Sequence, residues 1–193
     1  MLTNKDARIN REKILVYLEA LARYGVAIGR PYIKHIEGDI WELRPLRNRI
    51  FFFFWAENKI VLLHYYIKKS QKLPKREIQQ ARRNLDDYYR KESTQMKEIN
   101  TFADYISDET RVSLEERQKI NFEVELIGKI IEARELKGYS QRELAELSGV
   151  KQPAIARLES MKSTPRIDTL LKILQPLGYT LSVTPIHDES GKI

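Results

Sequence analysis

Six cations crowd two short stretches in the first half of this 193-residue chain: Arg44, Arg47 and Arg49, then Lys68, Lys69 and Lys72. The first group precedes a run of aromatic residues and the second follows the next apolar run. A hairpin between the runs brings both groups to one end of a sheet. Arg44 and Arg49 alternate around a tight loop, where two guanidinium forks can clamp a phosphate through paired N–H···O bonds. A lysine desolvated among other cations shifts toward neutrality and can accept a proton. The same cations serve equally well if they only hold a nucleic-acid backbone. No paired carboxylates and no histidine pair stand out in this half. His64 reads as a packed strand residue and His35 as a surface one. The chain has no cysteine, which excludes thiolate zinc sites and disulfides, and no metal or cofactor is expected.

Charge divides the chain. Residues 1–92 hold 20 Lys/Arg against 11 Asp/Glu, a balance of +9, and residues 93–193 hold 14 against 16, a balance of −2, which together give the net +7. The basic part should attract a polyanion, and the acidic part suits a different partner. The longest apolar run, Ile50 to Ala56, is far below the roughly 20 residues of a spanning helix. The opening MLTNKDARINREK has no apolar signal core. With no cysteine, a reducing cytoplasm is the expected location.

The elements follow from periodicity. Ile9, Ile14, Leu15, Leu18, Leu21 and Ala22 are spaced for a helix over 8–24. PYIKHIEGDIWEL reads as two short strands turning at Gly38. NRIFFFFW and KIVLLHYYI form a hairpin rich in aromatic and β-branched residues, with Phe51 to Trp55 as sheet core. Pro74 opens a helix whose Ile78, Ala81, Leu85 and Tyr88 face the sheet. Residues 93–122 are acidic and read as a linker with one or two helices. From Glu123 four helices follow with short breaks, and TLSVTPI reads as a terminal strand. Ser140 with Glu143 three residues on is a capping box.

The span IEARELKGYSQRELAELSGVKQPAIARLESMKSTPRIDTLLKILQPLG resembles the Xre/Cro-family helix-turn-helix. The carriers are Ser140, Gln141, Leu144, Ala145, Gly149, Val150, Ile155 and Glu159, with a closing helix at Leu170, Leu171 and Leu174. Ala145 must be small where two helices cross, and Gly149 supplies the left-handed turn. The resemblance implies that the helix from Gln152 enters the major groove. Lys151, Gln152, Ala154 and Arg157 then meet bases, Gln152 suiting adenine and Lys151 or Arg157 suiting guanine or phosphate. Gln141, Arg142 and Lys162 are expected on the DNA backbone. Lys151 stands where many relatives place a Ser or Thr N-cap. A homodimer on a palindromic operator is implied, with Thr180–Pro185 as a candidate pairing strand.

Residues 9–90 resemble RelE/HigB-type toxins of the phage-derived branch, on WELR, NRI, VLLH, KKSQK-P and the following REI. The resemblance implies cleavage of messenger RNA on the ribosome. Attack by a 2′-hydroxyl needs a proton acceptor, stabilisation of the phosphorane charge and a donor to the leaving oxygen. Arg44, Arg49, Lys68, Lys69 and Lys72 are the candidates for those roles.

Together the resemblances describe a HigBA-type toxin and antitoxin in one polypeptide. The expected architecture is an α+β toxin domain at 1–92, an acidic linker at 93–122 and an all-α, lambda-repressor-like helix-turn-helix antitoxin domain with a C-terminal strand at 123–193. The antitoxin half is expected to block the basic face, in cis or in trans within a dimer, bind operator DNA and repress its own synthesis. The alternative is a DNA-binding regulator whose RelE-like half has lost catalysis and serves in assembly.

Overall fold

In the computed structural model the described residues are 4–29, 31–55, 59–69, 73–92 and 102–183. Helix α1 (Asn4–Tyr24) leads through a short 3-10 turn into strands β1 (Ile33–Glu37), β2 (Ile40–Leu43), β3 (Asn48–Phe54) and β4 (Ile60–Ile67). The strands pair antiparallel in the order β1-β2-β3-β4. Helix α2 (Lys75–Glu92) completes this part. The hairpin expected at the aromatic runs is present, with a register shift between Phe51 and Phe52.

Strand alternation divides β3 between two cores. Ile50 and Phe52 face α1, while Phe51 and Phe53 face α2, where Ala81 and Leu85 cover them. Phe51, Phe52 and Phe53 are all fully buried, as a central strand requires.

The second part holds α3 (Phe102–Ser107), α4 (Leu114–Leu136), α5 (Gln141–Ser148), α6 (Gln152–Glu159) and α7 (Ile167–Leu177). Helix α4 departs most from expectation. It begins nine residues before Glu123, within the stretch read as linker, capped by Ser113, whose hydroxyl accepts from the Glu116 amide at 3.2 Å. Its apolar stripe Ile120, Val124, Ile127 has helical spacing, and all three are fully buried. They pack with Leu15, Val16, Tyr17, Ala20 and Leu21 of α1 in a single core. One turn on, Ile130 and Ala133 belong instead to the core of α5, α6 and α7. Helix α4 therefore serves two cores, and α1 is buried broadly because the sheet and α4 both press on it. Gly128 lies at their contact, where a Cβ would overlap the Tyr24 hydroxyl.

The terminal strand is not formed over 180–183, which run as irregular chain, and residues 184 and 185 lie outside the described ones. Among the described residues these positions have no neighbouring strand to supply a ladder.

Gly149 ends α5 at φ +66°, and a Cβ there would meet nothing within 4 Å. Gly149→Ala should therefore cost only backbone strain, about 1–2 kcal/mol. A shift of the urea midpoint without a change in slope checks this.

Candidate nucleic-acid interfaces and the joint between the halves

The basic end of the sheet is organised by a carboxylate that the sequence reading passed over. Glu42 is buried on β2, two residues from Arg44 and beside β3. Its carboxylate meets Arg44 Nε at 3.3 Å and Arg49 Nε at 3.6 Å, and accepts from the Tyr66 hydroxyl at 3.4 Å. Burial pushes the Tyr66 hydroxyl up to about 12, helped by the Glu42 charge. Arg49 is buried too, and its Nη1 donates to the Leu46 carbonyl at 3.1 Å and the Asn48 carbonyl at 2.5 Å. Desolvation lowers its pKa, and the Glu42 charge opposes that. The Arg49 fork is thus committed inside the fold and not presented for the expected clamp, whereas a third of the Arg44 side chain remains exposed.

Lys68 reaches the same end, since its amide donates to the Arg47 carbonyl at 2.8 Å, and Lys69 follows it into solvent. Lys72 lies outside the described residues. His64 is half-buried, its ring nearly parallel to those of Phe51 and Tyr66 at 6.3 and 6.4 Å, and it is bonded through Nε2 to Glu77 at 2.7 Å. That bond holds the Glu77 carboxyl below its usual range. Exposed His35 contacts the Gly38 carbonyl at 2.7 Å. Among the described residues no cluster of His, Cys, Asp and Glu could hold a metal, and no helix is long and apolar enough to cross a membrane.

The helix-turn-helix presents its outer face as anticipated. Ile155 and Leu158 turn inward, while Lys151, Gln152, Ala154, Arg157, Lys162 and Arg142 are exposed. The Ser140 capping box is formed, with the Ser140 amide donating to Glu143 at 2.7 Å. Lys151 is an N-cap without a side-chain bond, and Pro153 occupies the first turn. Arg142 pairs with Glu146 at 3.2 Å.

Behind this face runs a relay, buried at Glu159 and exposed at Gln152, that the sequence reading missed. Arg134 of α4 donates to both oxygens of Glu159, at 2.6 and 3.0 Å, and to the Tyr139 carbonyl at 2.8 Å. Burial works against the Arg134 charge, but the Glu159 bonds outweigh it and raise its pKa. Gln141 Nε2 donates to Glu159 at 2.9 Å, and Gln152 Nε2 donates to Gln141 Oε1 at 3.3 Å. A carboxylate only accepts, so the Gln141 nitrogen must face Glu159 and its oxygen must face Gln152. Gln152 is left with its oxygen and one N–H, the pair an adenine edge requires.

The joint between the halves is polar as well as apolar. Lys13 of α1 and Glu123 of α4 form an ion pair through Oε1, both almost fully buried, and Glu123 Oε2 has no hydrogen-bond partner among the described residues. Arg11 binds Glu116 and the Arg111 carbonyl, and Lys119 meets Glu12 at 2.7 Å. The Tyr17 hydroxyl donates to the Ser160 carbonyl at 2.6 Å, just past the end of α6. Burial pushes the hydroxyls of Tyr17 and its ring neighbour Tyr32 upward. The second half thus seats on α1 through Tyr17, whose hydroxyl also feels the charges of Arg49 and Arg44 at the basic end of the sheet.

Comparison with known proteins matches two separate stretches of the chain. Residues 4–86 match the family described as phage derived protein Gp49-like, and residues 130–183 match the helix-turn-helix family. An uncharacterized HTH-type transcriptional regulator of Haemophilus influenzae is 49% identical over 73 residues, covering 38% of this chain and 74% of that protein. The HTH-type transcriptional regulator PuuR of Escherichia coli is 44% identical over 54 residues, which span 28% of this chain and 29% of PuuR. A solved toxin–antitoxin module from Streptococcus pneumoniae is 48% identical over a stretch covering 39% of this chain and 82% of that one, at a TM-score of 0.36. On the match to the first of these regulators and the arrangement of α4 to α7, the chain belongs to the helix-turn-helix transcriptional regulators, and it carries a Gp49-like domain ahead of the DNA-reading fold.

Proposed function

We propose that this chain is a toxin–antitoxin unit in one polypeptide. The Gp49-like half is a ribosome-dependent mRNA endonuclease. The helix-turn-helix half silences it and represses the promoter of its own gene as a homodimer. The observation that carries this reading is the shared core. Ile120, Val124, Ile127 and Met161 of the second half are packed with Tyr17, Ala20 and Leu21 of the first, beside the buried Lys13–Glu123 pair. An independent regulator has no need to complete its neighbour's core.

In the proposed cleavage the 2′-hydroxyl attacks the phosphorus, the 5′-oxygen leaves and a cyclic phosphate remains. Arg44 and Lys69 hold the phosphate, half-buried Lys68 takes the hydroxyl proton and delivers it to the leaving 5′-oxygen, and Arg49 keeps Arg44 in place through the shared Glu42. Lys72 joins them as a further phosphate contact. On DNA, Gln152 reads adenine, Lys151 and Arg157 bind guanine or phosphate, Ala154 touches the groove floor, and Gln141, Arg142 and Lys162 hold the backbone. Exposed Ile167 and Leu171 on α7, with Tyr179 and Val183, supply an apolar face for the dimer.

One observation favours the second reading, a regulator with an inactive Gp49-like half: Glu42 pairs with both Arg44 and Arg49, and Arg49 is committed inside the fold. Expression separates the two. Residues 1–92 alone should stop growth, residues 102–193 supplied in trans should restore it, and Arg44→Ala or Lys69→Ala should relieve the arrest. Growth unaffected by residues 1–92 that accumulate as a folded domain supports the inactive reading. On a promoter duplex, Arg157→Ala should weaken binding by about 1–3 kcal/mol. A gel shift indifferent to that change removes the repressor role.

A further inference from the structure

Helix α6 carries the DNA-reading face, and its C-terminal end is held from two directions. From within its own domain, Arg134 grips Glu159, and Glu159 orients Gln141 and through it Gln152. From the other domain, the next two residues are captured. The Ser160 carbonyl accepts the buried Tyr17 hydroxyl. Met161 is 2% exposed and lies in the core built by α1, the sheet and the first half of α4, not in the helix-turn-helix core. Its backbone stands at φ +52°, the left-handed close of α6, where the Met161 and Lys162 amides donate to the Leu158 and Arg157 carbonyls at 2.8 and 3.0 Å. That turn carries the side chain out of the helix-turn-helix and into the Gp49-like core.

We propose that Tyr17 and Met161 are positioning residues for DNA reading, so that the Gp49-like half sets the pose of α6 and raises the affinity for operator DNA. They touch no base. Their effect passes through Ser160 and the adjoining Glu159 to the amide relay that aims Gln152. Such coupling is reciprocal, so operator binding must also hold the Gp49-like half more firmly in its seat. The inference rests on the DNA-binding reading and goes beyond it by giving the toxin-like half a part in recognition.

The test uses the full chain and a duplex taken from immediately upstream of its gene. Met161→Asn keeps a residue tolerant of the left-handed conformation but removes the apolar anchor. Operator affinity should fall about tenfold, while binding to an unrelated duplex stays unchanged. Tyr17→Phe removes one hydrogen bond and should lower operator affinity about fivefold. Met161→Leu, which restores an apolar side chain, should bind as the parent does. Amide exchange at 157–162 should quicken in Met161→Asn and Tyr17→Phe, at a temperature where the far-ultraviolet spectrum is unchanged. Quickened exchange with unchanged operator affinity overturns the inference, and so does unchanged exchange. An equal fall on both duplexes overturns it as well, because that is loss of the fold and not of aim. If the parent chain binds neither duplex, the DNA-binding reading itself fails.

Discussion

Arg134→Ala is expected to destabilise the helix-turn-helix by about 3–5 kcal/mol, because it leaves Glu159 charged, buried and without its counter-ion. Glu159 is 4% exposed and would keep only the Gln141 amide as a partner. The Tyr139 carbonyl loses its donor in the same step. Urea unfolding of the full chain reads the loss as a lower midpoint. The double variant Arg134→Met/Glu159→Met separates stability from recognition. Removing both charges relieves the desolvation penalty and should return most of the stability. It cannot return the orientation of Gln141, since nothing remains to fix the nitrogen toward α6. Promoter binding should stay weak in a folded protein. Recovery of binding along with stability contradicts the relay.

Glu123→Ala is the second large effect, again about 3–5 kcal/mol, now at the joint between the halves. Lys13 would be left almost fully buried without a partner, one turn from Tyr17. A lysine in that position escapes burial most readily if α4 leaves α1, so the joint should open before either half unfolds. Amide exchange along α1 and residues 114–127 should report that opening. Lys13→Met/Glu123→Leu fills the same space without charge and should restore the closed joint. A double variant as loose as Glu123→Ala refutes the assignment of the loss to an unpaired charge.

The sequence made the secondary structure and its two-part order readable because the signals are local. Gly38, the aromatic runs of β3 and β4, Pro74, the Ser140 capping box and Gly149 each act within a few residues, and each element stands where those signals set it. The start of α4 was harder to read. Its stripe at Ile120, Val124 and Ile127 is helical, but acids and lysines between those positions make the stretch look like solvated linker until α1 is seen to cover it. Glu42 was recoverable in principle: it stands two residues from Arg44 on one strand face, and Arg49 is on the neighbouring strand. Reading charge as a sum hid it, because a buried carboxylate among arginines changes which cations are free without much changing the total. The Lys13–Glu123 pair, the Arg134–Glu159 bond and the seat of Met161 join residues 25 to 143 positions apart or cross between the halves. No periodicity in one chain encodes such distances. They follow from the packing of α1 on α4 and of α4 on α6.

The central claim is that the helix-turn-helix half silences an active Gp49-like half by seating on it. Cell-free protein synthesis tests this most directly, with residues 1–92 or the full chain added at equal concentration and the messenger examined for breaks. The account predicts that residues 1–92, folded by circular dichroism, stop synthesis and cut the messenger, while the full chain leaves both intact. Intact messenger and undiminished synthesis with folded residues 1–92 would contradict it.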